Sequence, residues 1–383
     1  MANVTWLIGN GFDLNVGLKT SYKDFYKEYI KDNNDDSENI KWFKLLLEDD
    51  MCNGWKNWAD FEIGLGNESI RFINEDRIKE CYLDFKKQLI TFLKYEADKV
   101  DFENLKYDKT STIIEDFSDS LLGFYDMLHM IKKKEFDRFA KLDNGELNII
   151  QLNYTDIFDK LFTFSHGIIQ HKIHNSLSYF DNLLKISSVR ENIHLHGFLD
   201  YSMTLGVDNI QQIKNVDFHN ETDINSLFVK QNYISIVEEL RANDNIGYGD
   251  FYNIIDKSHI ICSFGASIGE SDKTCWETIG ETIVRKDCQF IIFDIESPDM
   301  NINDPLEFYP YSNRVKNKKA EILNRFYKCA NWTNEEIAMF GNNIKIELDS
   351  KLFNFKLPMK QSPEKDSVGE FLDRSTSLKS VLG

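Results

Sequence analysis

The chain has 383 residues, 45 Lys and Arg against 63 Asp and Glu for a formal charge of −18, and 42% hydrophobic residues. That length allows two or three domains of ~150 residues, and the composition is that of a folded protein, neither disordered nor collagen-like. So acidic a chain repels phosphate backbones over most of its surface, which argues against broad nucleic-acid binding.

The N-terminus enters an apolar run without a signal-peptide pattern. No stretch approaches the ~20 apolar residues of a membrane span. The six cysteines contain no C-x-x-C pair, so neither a zinc cluster nor a disulfide framework is written in. A cytoplasmic protein without a membrane partner or a metal is expected.

Val4-Thr5-Trp6-Leu7-Ile8 reads as a buried strand stopped by Gly9-Asn10-Gly11. Residues 1–19 would form this strand and its glycine loop. Thr20 or Ser21 can cap a helix reaching Ile30. Ile78, Tyr82, Phe85, Leu89 and Phe92 share one helical face, with Lys79, Lys86 and Lys87 on the polar side. Ile113, Phe117, Leu121, Phe124 and Leu128 mark a further helical stretch, so residues 20–142 read as one helical block. From 143 to 350 the pattern alternates. Short β-type runs at 147–152, 192–195, 203–207, 259–264, 290–295 and 344–348 are interspersed with helical segments such as 227–242 and 275–285. Alternation of this kind predicts an α/β fold with a mainly parallel sheet flanked by helices, interrupted after its first strand by the helical block. Residues 351–383, above all from Met359 onward, read as a loosely packed tail.

Four constellations fall at predicted strand ends, the edge where open α/β sheets bind ligands. Gly9-Asn10-Gly11-Phe12-Asp13 either brings backbone amides near a phosphate or is a tight strand-to-helix turn. Asn153-Tyr154-Thr155-Asp156 offers an amide to orient a water or a ribose hydroxyl, or an N-cap. In His194-Leu195-His196-Gly197, alternation puts both imidazoles on one face, as a general base, a metal pair or satisfied structural residues. Phe264-Gly265-Ala266-Ser267 leaves room for a bound group, and Ser271 or Asp272 can cap the helix that follows. Trp58, Asp60 and Glu62 lie in the helical block, either on a lid or on a surface helix.

Taken in order, LIGNGFDLNVGLKTSYKDFY, NWADFEIGLG, LNYTDIFDKL, IHLHGFL, LGVD and FGASIGESDKTCW resemble the AbiH family of bacteriophage abortive-infection proteins, from Leu7 to about Trp276. That family is in turn similar to sirtuin-like, Rossmann-like domains that bind NAD. The resemblance implies that Gly9, Asn10, Gly11, Phe12 and Asp13 contact a dinucleotide, with Gly265 and Ser267 at its adenosine half and Asp272 as a further cofactor-binding residue. It implies Asn153 and His196 as catalytic residues and Asp156 as their acidic partner. The glycine loop departs from the sirtuin type and the four-cysteine zinc module is missing, so the implied activity is NAD hydrolysis and not deacylation.

The expected function is thus an antiphage effector that takes NAD or a related nucleotide as substrate or ligand, answers to a phage component and forms a homo-oligomer. The rivals are a non-catalytic nucleotide-gated sensor and a metal-dependent nuclease. Basic runs at 132–134 and 314–319 permit at most a limited nucleic-acid contact.

Overall fold

The computed structural model describes residues 3–31, 36–52, 58–107, 113–128, 145–175, 186–200, 202–234, 248–300, 304 and 306–360. Among the described residues, six strands form one sheet: β1 (Val4–Ile8), β2 (Gly145–Gln151), β3 (Ile186–His194), β4 (Ile260–Phe264), β5 (Gln289–Phe293) and β6 (Ile344–Glu347). Their order is β3-β2-β1-β4-β5-β6, and every pairing is parallel. Val4, Trp6 and Ile8 pack into one core face and Leu7 into the other. A strand buried on both faces needs no polar alternation, which explains the continuous apolar runs.

Between β1 and β2 the described residues hold only helices: α1 (Gly11–Val16), α2 (Tyr22–Tyr29), α3 (Glu38–Cys52), α4 (Trp58–Glu68), α5 (Glu75–Asp98), α6 (Phe102–Tyr107), α7 (Ile113–Leu122) and a short 3-10 turn at Phe124–Met127. Ser21 caps α2 by accepting from the Asp24 amide. Asn74 caps α5, whose inner face carries the predicted Ile78, Tyr82, Phe85, Leu89 and Phe92. The block is not one unit. Phe25, Phe43, Phe61 and Phe85 build a separate aromatic core, whereas Phe117, Leu121 and Phe124 pack against the sheet with Trp6. Lys86, expected on the polar face, is 7% exposed, lies over the Tyr233 ring and donates to its hydroxyl at 3.0 Å. Burial pushes this amine down to about 8.

Downstream come α8 (Ile157–Asn175), α9 (Thr222–Phe228), α10 (Tyr248–Lys257), α11 (Lys273–Lys286), α12 (Phe308–Cys329) and α13 (Asn334–Phe340). Two expectations are corrected here. Residues 203–207 form no strand: they make one isolated bridge, Val207 to Val229, and are otherwise held by separate hydrogen bonds, such as Thr204 N to His196 O and Tyr82 Oη to Leu205 O. The helix expected over 227–242 is broken at Val229, where that bridge forms, and its part beyond 234 lies outside the described residues. Residues 352–357 also depart from the expected loose packing. Leu352, Phe353, Phe355 and Leu357 are buried, and Phe353 packs on Phe12, Phe117 and Phe264. Residues 361–383 and the basic run 132–134 lie outside the described residues. Among the described residues, no helix is long and apolar enough to cross a membrane.

Candidate functional site

The strand order reverses between β1 and β4, the switch point at which doubly wound sheets bind ligands beyond their strand ends. Two glycine loops meet there. Gly9 N donates to Phe264 O at 3.0 Å and Gly11 N to Gly265 O at 2.9 Å. A Cβ on Gly9 would lie 2.5 Å from Ala266 Cα, and one on Gly265, where φ is +68°, 2.5 Å from Phe12 N. The glycines are thus required by loop-to-loop contact, whatever they do for a ligand.

The remaining predicted contact residues sort clearly. Asn10 is occupied with Thr20, donating to its carbonyl at 3.0 Å and accepting from its hydroxyl at 2.8 Å. Phe12 is fully buried among Phe117, Phe158 and Phe353, so the structure makes it a core residue and not a cofactor contact. Gly11, Gly265 and Ser267 line an open cleft of about 250 Å³ beyond β4 and β5. Ala266, Ile268, Ile322, Asp294 and Arg325 form more of its wall.

A sealed group lies at the β1–β2–β3 ends. Thr155 Oγ1 donates to Asp13 Oδ2 at 2.6 Å and sits 3.2 Å from Asn153 Nδ2. Asp13 is fully buried, its Oδ1 has no aligned donor, and burial pushes its carboxyl up to about 6 against the Thr155 and Asn153 contacts. Asn153 is 2% exposed and accepts from the Tyr154 amide.

His196 is 4% exposed. Its Nδ1 lies 3.2 Å from Leu152 O, an atom that can only accept, so Nδ1 carries a proton. Nε2 is 2.9 Å from Asp272 Oδ1 but lacks an aligned hydrogen bond. Asp272 also meets Lys230 Nζ at 2.8 Å, and Lys230 reaches Glu62 Oε2 at 2.9 Å. Burial alone would raise Asp272, but Lys230 and His196 outweigh it and hold the carboxyl well below its usual range. Burial raises Glu62 despite Lys230, and the two carboxylates together raise the Lys230 amine although burial opposes them.

The expected acidic partner is corrected. Asp156 turns outward, half-exposed, to Lys160 at 2.9 Å, and the carboxylate on His196 is Asp272. The two histidines also part company. His194 ends β3 and contacts both oxygens of Asp159 on α8 at 3.1 Å, whereas His196 lies in the turn after the strand, where alternation no longer governs direction. Among the described residues, no three His, Cys, Asp or Glu side chains converge to hold a metal.

Sequence reasoning missed Lys230, whose only signal is a cation directly after Leu227-Phe228-Val229. It also left Glu62 without a role. The side chains of Trp58 and Asp60 lie outside the described residues. Glu62 Oε1 accepts from Gly206 N at 3.2 Å, and Gly206, at φ +153°, approaches Phe228 O too closely for a Cβ. Asp208 accepts from the Thr274 amide at 3.1 Å and its hydroxyl at 2.8 Å, anchoring the first turn of α11. Motifs at 58–66, 193–199, 205–208 and 264–276 thus meet around one buried network.

Fold and site together define a doubly wound α/β protein with a helical insertion and a buried histidine–carboxylate pair at its switch-point edge. The family model described as bacteriophage abortive infection AbiH matches residues 5–294, and the chain belongs to that family. No curated protein matches it.

Proposed function

We propose that this phage-defence protein is an effector that binds NAD along the carboxyl edge of its sheet and hydrolyses the nicotinamide N-glycosidic bond. The reading rests on one convergence. His196 with Asp272, the Asn153–Thr155–Asp13 chain and an open cleft all lie along the carboxyl ends of the strands. In the reaction the bond from ribose C1′ to the pyridinium nitrogen breaks, and its electron pair leaves with neutral nicotinamide. Asp13, mostly ionised at pH 7, stabilises the positive charge that develops on C1′. The His196–Asp272 pair takes a proton from the attacking water, and Asn153 holds that water or a ribose hydroxyl. The products are nicotinamide, ADP-ribose and a proton.

Asn153 and His196 are almost fully buried, so substrate reaches them only after the residues covering them move. This requirement fits an effector held idle until a phage component acts. It equally favours a second reading, in which nucleotide occupies the open cleft and gates an interaction without being cleaved.

Nicotinamide release from NAD by the purified chain, with and without phage-infected extract, tests the proposal. Release that Asn153→Ala and His196→Ala abolish, with circular dichroism unchanged, supports it. No release under either condition, together with a thermal shift on adding ADP-ribose, overturns hydrolysis in favour of the sensor.

A further inference from the structure

Large apolar side chains stand in water along one stretch of the chain after β5. Leu306, Phe308 and Tyr309, around the first turn of α12, are 80%, 72% and 74% exposed, and Ile295 and Met300 precede them at 42% each. The loop that carries the last two is tied to the helix. Arg314 Nη2 donates to the Asp299 carbonyl at 2.7 Å, and the Ser297 and Tyr311 hydroxyls lie 3.5 Å apart. The five residues are therefore neighbours on one surface. At about 150–250 Å² for a large aromatic side chain, they expose on the order of 500 Å², the size of the largest and often functional patch on a monomer.

Charge here differs from the rest of the chain. Residues 295–320 carry Glu296, Asp299, Asp304 and Glu307 against Arg314, Lys316, Lys318 and Lys319, an even balance in a protein of charge −18. Several of these ions pair locally: Glu307 with Arg314, and Glu296 with Lys318 at 2.8 Å. Two copies that approach through an average face repel, because each carries the same large negative charge. Through this face they meet apolar side chains rimmed by neutralised ions, which is the anatomy of an interface. An anionic lipid surface would need an excess of cations that the stretch does not have.

We infer that this face is a self-association surface, on which a second copy of the chain seats the same residues across a two-fold axis. Such a contact is isologous, so the patch is buried twice. The five side chains of the two copies together supply on the order of 1,000 Å² before the rim is counted, which reaches what a specific interface needs. Ile295 and Glu296 also line the cleft beyond β4 and β5, so pairing brings both clefts beside the interface. The pairing holds whether or not the protein cleaves NAD.

Sedimentation velocity of the full chain over micromolar concentrations tests the surface, and a dimer in equilibrium with monomer is expected. Phe308→Asp combined with Tyr309→Asp sets like charges against one another across the axis and should weaken association at least about a hundredfold. Leu306→Asp, outside α12, is a second variant expected to act in the same direction. Both leave the buried core untouched, and circular dichroism checks that they fold. Ile73→Asp, on the helical insertion and equally exposed at 77%, should leave the dimer intact. A parent that stays monomeric overturns the surface, as does a dimer that the Phe308 and Tyr309 changes leave intact or that Ile73→Asp disrupts as strongly. A monomeric parent that dimerises only once residues 361–383 are removed gives the face to the chain's own C-terminal segment. One that binds a component of infected extract through Phe308 gives it to that component, and either result overturns self-association.

Discussion

Two regions of one sheet edge handle charge in opposite ways. Beyond β4 and β5 the cleft is open, and its carboxylates and cations meet water. Beyond β1, β2 and β3, His196, Asp272, Lys230 and Glu62 are sealed beneath the helical block, every ion within 3 Å of an opposite charge. Buried ions survive only when paired, so the sealed region couples the docking of α4, which carries Glu62, to the environment of His196. The open region carries no such constraint and is free to select a ligand.

The largest effect expected on this contrast comes from Lys230→Met, which strands two buried carboxylates. It should cost about 3–5 kcal/mol in chemical denaturation. The triple change Glu62→Gln, Lys230→Met, Asp272→Asn should recover much of that loss. A single variant as stable as the parent would show that the network is hydrated.

Gly265→Ala adds left-handed backbone strain, about 1–2 kcal/mol, to a displacement of the Phe12 amide costing about 1–3 kcal/mol. Its effect should be felt in both regions, because that glycine closes the loop contact between them. Unchanged melting would mean that the two loops separate readily.

Asp13→Asn should act in the other direction. The folded carboxyl titrates near 6 and the unfolded one near its ordinary value of 3.8. Between those values the folded state keeps a proton that the unfolded state has lost, so this group's contribution falls as pH rises through about 6. At pH 7 the amide variant should be more stable by up to about 3 kcal/mol, with little difference at pH 3.5, while nicotinamide release is lost. Equal stabilisation at both pH values would contradict the titration.

Asp156→Ala should be the mildest change. An exposed ion pair contributes about 0–1 kcal/mol, and neither melting nor nicotinamide release should respond. A large loss of release would return Asp156 to the site.

Much of the architecture was legible because local rules governed it. The apolar run 4–8 could only be a strand covered on both faces, and Ser21 and the 78–92 stripe marked helices whose caps and inner faces the structure keeps. Asn153 and His196 were legible as residues at strand ends. Asp272 was legible as a helix-start residue, but its partner was not.

The sequence by itself therefore determined the α/β alternation, the helical insertion, the strand-end motifs and, through their order, the family. Only the tertiary structure decided that Phe12 belongs to the core, that Asp272 and not Asp156 faces His196, and that Lys230 joins Glu62 to both. The physical reason is distance along the chain. Periodicity and capping act over a few residues, whereas Lys230 lies 168 positions from Glu62 and 42 from Asp272, and only packing of the helical block on the sheet edge brings such charges within reach of one another.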